Sequence, residues 1–107
     1  MRLSVLEAEL VTLIEPTGWK AAEDVASASG LIMLCPGCFE KNGGAVGTHS
    51  ALLWFRARAV PTHLQPGPGR WYATGTSIEN LSLTPSVVIG DPACWHGWIR
   101  AGETTNA

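Results

Sequence analysis

A small, mainly β domain, with antiparallel strands in a sheet or sandwich and at most one short helix, is predicted by three features of the 107-residue sequence. Twelve glycines and seven prolines cut the chain into short segments joined by tight turns. Between those breaks apolar side chains recur with a period of two, the signature of half-buried strands. Hydrophobic residues make up 46% of the chain and charged residues 15%, enough to pack a core and too little charge for disorder. No shift of composition divides the chain, so residues 1–107 form one domain. Within it, 1–30 supplies an N-terminal strand and a short helix, 31–103 the β core, and 104–107 a polar tail expected to fray.

From Leu3 to Ile14, Leu6, Ala8, Leu10 and Ile14 share one parity before Pro16 and Gly18 stop the run; a strand is expected, with a short helix as its competitor. Ala21 to Ser29 is rich in alanine, carries Glu23 and Asp24 early and meets Gly30, which predicts one or two helical turns. Leu31 to Leu34 is a brief apolar strand running straight into Cys35. Lys41 to Gly47, with three glycines, reads as a loop. His49 to Ala59 alternates most clearly of all, with Ala51, Leu53, Phe55, Ala57 and Ala59 on one face and Leu52, Trp54, Arg56 and Arg58 on the other. Pro61 to Gly69 is an exposed loop, and Arg70 to Thr74 resumes as a strand. Ile78, Leu81 and Leu83 begin another strand, Pro85 interrupts it, Val87 to Ile89 continues it, and Gly90-Asp91-Pro92 turns the chain toward a last strand.

Two short pairs, Cys35-Pro36-Gly37-Cys38 and Cys94-Trp95-His96, use all three cysteines. Together they offer three thiolates and an imidazole, a complete tetrahedral set for structural zinc, and a Cys-x-x-Cys turn lets two sulfurs reach one ion. An odd cysteine count fits a reducing compartment better than a secreted disulfide framework. Cys94 and His96 are two apart, so on a strand they would face the same way and clamp the end of the chain to its middle. His49 competes with His96 for the fourth position and ranks behind it; His63 ranks lower still. A redox dithiol is the rival reading of Cys35 and Cys38, but the residues after Cys38 break up within a turn, which weakens the strand-to-helix context that chemistry uses. A full ligand set leaves no open position for catalysis, and the His-x-Glu of zinc deaminases is missing. Neither the glycine loop at 43–47 nor any Gly-x-Ser-x-Gly elbow supplies an enzymatic motif, so the sequence gives no positive sign of an enzyme.

Five tryptophans are many for this length, and most are expected to fill the core. Trp54 beside Arg56 and Arg58, with Arg70 nearby in sequence, is the candidate binding face, because aromatic rings stack bases and guanidinium groups pair with phosphates. With 7 basic against 9 acidic residues, a net charge of −2 gives no general pull toward DNA, RNA or anionic lipid. No apolar run approaches the ~20 residues of a membrane span, and a cytoplasmic protein is expected.

An ordered string of motifs carries a resemblance: Cys-Pro-Gly-Cys at 35–38, Gly47-Thr48-His49-Ser50 leading to Trp54-Phe55, Pro66-Gly67-Pro68-Gly69-Arg70-Trp71 and Gly75-Thr76-Ser77. It continues through Leu81-Ser82-Leu83-Thr84-Pro85-Ser86 and Cys94-Trp95-His96-Gly97-Trp98 to Gly102-Glu103. From about residue 31 to 103 the chain resembles a family of small phage and prophage proteins with a zinc-knuckle-like pattern, some of which are labelled ammonia monooxygenase. That activity needs copper or iron ligands, and in the membrane enzyme membrane spans, that this sequence does not offer. The resemblance implies an accessory phage protein acting in the bacterial host cell, countering a host defence by binding a host protein or a nucleotide signal. Three functions follow as expectations. The first is a zinc-stabilised interaction module, the second a small-ligand binder using the Trp54 face, and the third a metal-dependent hydrolase.

Overall fold

The computed structural model describes residues 1–14, 18–67, 69–90 and 93–107. It is mainly β with one short helix, in three small antiparallel sheets. Strands β1 (Glu9–Ile14), β2 (Gly18–Ala21), β3 (Gly30–Leu34) and β4 (Ser50–Trp54) form the largest sheet, in the order β2-β1-β3-β4. Helix α1 (Pro36–Asn42) joins β3 to β4. β5 (Tyr72–Thr74) pairs with β6 (Ser82–Thr84), while β7 (Val87–Ile89), β8 (Trp95–Arg100) and β9 (Glu103–Asn106) make a meander. The core gathers fully buried side chains from every part of the chain, including Leu3, Leu6, Leu31, Phe55, Leu81 and Ile99. No helix among the described residues is long and apolar enough to cross a membrane. The expected stop at Pro16, the turn at Asp91-Pro92, and Pro68 in the 61–69 loop lie outside the described residues.

Several expectations are corrected by long-range packing. The first strand begins only at Glu9; before it the chain turns, and Leu3 and Leu6, three residues apart, both enter the core. Ala21–Ser29 holds no helix. β2 takes its first residue, and the Asp24 carboxylate then accepts hydrogen bonds from the Ser27 amide (2.9 Å) and hydroxyl (2.7 Å), closing a side-chain turn that competes with helix. Arg58 fixes the same turn from outside, its Nη1 donating to the carbonyls of Val25 and Ala28, each at 2.7 Å.

The long strand expected over 49–59 ends at Trp54. Phe55 makes a parallel bridge to Trp71, and Ala57 and Ala59 adopt left-handed backbone with φ of 62° and 58°, conformations that end a strand. The tail after Gly102 does not fray. Arg100 and Glu103 pair across a two-residue turn in which Ala101 and Gly102 both have positive φ, 50° and 77°, as a tight hairpin requires. β9 then buries Thr104, and Asn106 accepts a 2.8 Å hydrogen bond from the Trp95 indole.

Candidate metal centre

The hairpin β3–β4 builds the site through its register. Leu34 lies opposite Ser50, and the ladder runs one step further, the Cys35 amide donating to the His49 carbonyl at 2.9 Å. Cys35 and His49 are therefore directly opposite each other across the ladder, near enough for their side chains to meet. Helix α1 starts at the same point. Cys35 is its N-cap, Pro36 occupies the first helical position, where a missing N–H costs nothing, and Cys38 returns one turn later onto the face of Cys35. Gly43, at φ 69°, ends the helix, and the glycine loop leads back to His49.

The two sulfurs and one imidazole nitrogen of Cys35, Cys38 and His49 all lie within 4.8 Å of one another, with Cys35 buried, Cys38 half-buried and His49 exposed. None of the three cysteines is in a disulfide. Cys94 comes to the same place from the other end of the chain. It precedes β8, its amide donates to Ile89 at 2.7 Å, and its backbone lies against Gly37, where an added Cβ would collide with the Cys94 carbonyl oxygen. Loss of solvent, then the thiols of Cys35 and Cys94, push the Cys38 thiol up to about 11. Two sulfurs and an imidazole meet there, with the backbone of Cys94 packed beside them, and thiolate and imidazole donors suit a soft, tetrahedral cation.

His96 is not part of this cluster. β8 begins at Trp95, so Cys94 precedes the regular strand and the rule that residues two apart share a face does not join it to His96. Paired with Val88 on β7, His96 is exposed, with its Nε2 3.3 Å from the Ser86 hydroxyl. The structure thus brings His49, the second choice of the sequence reading, to the cysteine pair. His63 is exposed in the 61–69 loop. The signal that favours His49 is the hairpin register, since aligning the strand before Cys35 with the strand after His49 sets the two side by side.

The strand-to-helix context judged weak in the sequence is present, because α1 follows Cys35 directly. A redox dithiol nevertheless needs an accessible, acidified thiol. Here Cys35 is fully buried and the Cys38 thiol is held high, while an imidazole stands beside both.

The candidate binding face does not form. Trp54 is 2% exposed and its indole donates to the Gln65 carbonyl at 3.0 Å. Arg58 is spent on the 25–28 turn. Arg56 is exposed, with its guanidinium 4.9 Å from the Tyr72 ring centroid. Arg70 donates to the carbonyls of Pro61, Leu64, Pro66 and Gly69 at 2.8–3.1 Å and so shapes the loop before it. The cause is the end of β4 at Trp54, after which alternation no longer places these side chains on one surface. No family model, curated protein or solved structure matches the chain.

Proposed function

We propose that the chain is a non-enzymatic binding module stabilised by one zinc ion, held by Cys35, Cys38, Cys94 and His49, and that it serves as a small phage-type accessory protein engaging a host component in the cytoplasm. The observation that carries the metal reading is the meeting of the Cys35, Cys38 and His49 ligand atoms within 4.8 Å, with the Cys94 backbone packed against Gly37 between the two cysteines. Zinc would do there what the small core does only in part. It would tie α1 and the β3–β4 hairpin to the start of β8, joining two sheets whose strands do not hydrogen-bond to each other. Structural zinc contributes about 10–16 kcal/mol of apparent binding energy at neutral pH, against typical domain stabilities of about 5–15 kcal/mol. The ion could therefore decide whether the chain folds.

Four protein ligands leave no coordination position for a reacting water, which favours a structural role over hydrolysis. The resemblance to phage proteins supplies the biological setting of the proposal. Elemental analysis of the purified full chain, with thermal unfolding before and after chelation, tests it: one zinc per chain and a large fall in Tm on chelation are expected. Protein purified without chelator that carries no metal and unfolds at the same temperature with or without EDTA would refute it.

A further inference from the structure

Beside His49 the chain forms an open cleft of about 830 Å³, bounded by β4, the 61–70 loop and β7. Small-molecule sites usually measure about 300–1,000 Å³ and combine apolar walls with a few polar groups. This one has Leu52, Trp71, Val88 and Ile89 among its walls and two guanidinium residues, Arg56 and Arg70, at its edge. Among the described residues that line it there is no aspartate or glutamate. The chain as a whole carries −2, whereas the charged groups among the described lining residues are two arginines.

Among the described residues no carboxylate pairs with either arginine. The ion pair found among the described residues, Arg2 with Glu103, lies elsewhere. Arg70 is fixed by four backbone carbonyls, its Nε is buried without a partner, and its charge is held in place before any ligand arrives. Arg56 leans over the Tyr72 ring and makes one long contact, 3.4 Å, to the Arg70 carbonyl, which leaves donors of its fork to face solvent. A fixed cation, an exposed cation and an indole beside a concave apolar wall select a ligand with a planar ring and an anionic group. A flat protein surface would not use this concavity, because stable protein interfaces are broad, burying about 1,200–2,000 Å².

We infer that this cleft binds a small molecule made of a planar apolar ring bearing a phosphate or carboxylate, with Arg56 as the residue that captures the anion. The site does not depend on the identity of the metal. Arg56, unlike Arg70, is exposed and can be replaced without dismantling the loop.

Calorimetric titration of the metal-loaded full chain with AMP, adenosine, indole-3-acetate and inorganic phosphate tests the inference. AMP or indole-3-acetate should bind, the better of the two identifying phosphate or carboxylate as the anion. Adenosine should bind at least about tenfold more weakly than AMP if phosphate is the group read, the scale of one charge-assisted hydrogen bond. Arg56→Gln should weaken the preferred anion by about tenfold and leave Tm unchanged. The inference falls if neither ring-bearing anion binds, if inorganic phosphate binds as well as either, if adenosine matches AMP when AMP is the preferred ligand, or if Arg56→Gln binds like the parent. Metal content measured on the same sample separates this result from the zinc proposal, since a metal-free, folded chain that binds AMP would overturn only the latter.

Discussion

His49 and His96 differ in consequence more than in chemistry. Cys35 faces His49 across the hairpin, whereas His96 stands on the outer side of β8 beside Ser86. His49→Ala should lower zinc affinity by about 100-fold or more, because four ligands share about 10–16 kcal/mol of binding energy; His96→Ala should leave it within a few-fold. Competition against a chromophoric chelator reads both, and equal losses would place His96 in the site. Cys35 and Cys38 were legible from the sequence alone, since two thiols three apart on a turn need no knowledge of the fold. The histidine was not, because choosing between two imidazoles depends on strand register, which local spacing does not encode.

At the level of elements, α1 and β8 meet with no room to spare. Gly37 faces the Cys94 carbonyl, and an added methyl would collide with its oxygen and lie 3.3 Å from Trp95 Cβ. Backbone on both sides prevents easy relief. Gly37→Ala should therefore destabilise the chain by about 1–3 kcal/mol, the usual cost of overpacking, and speed zinc release by parting Cys38 from Cys94; chemical unfolding and metal transfer to a chelator measure the two effects. Signals for α1 were present in Pro36, Lys41 and Gly43, respectively at its first turn, last turn and end. Seven residues are too few to form a helix on propensity alone, so packing decides it. The alanine-rich segment 21–29 shows the converse, good helix formers held in a turn by Asp24, Ser27 and Arg58.

Across the whole molecule, acid should act at two places. Protons compete with zinc for the thiolates and the imidazole, so the loaded chain releases metal as pH falls. At the 24–27 turn, the Ser27 hydroxyl and amide hold the Asp24 carboxylate below its ordinary 3.8. A depressed folded value stabilises the fold above the unfolded value and loses that contribution as pH drops through the folded one. The stability gap between parent and Asp24→Ala should thus be full near neutrality and narrow as pH falls below the ordinary carboxylate value, as read by urea unfolding of the two zinc-loaded chains side by side at several pH values; a gap independent of pH would contradict the assignment. The β class and most strand positions were readable from alternation and turn residues, but the division into three sheets was not, because it depends on partners far apart in the chain, such as β3 with β4 around α1. Arg58 extends that dependence to a single turn. Its acceptors at Val25 and Ala28 lie 33 and 30 residues earlier, so the link from β2 to β3 is braced from outside its own segment. The N-terminal quarter of the molecule thus leans on a side chain that belongs to the middle, and a change at 58 would be felt there first.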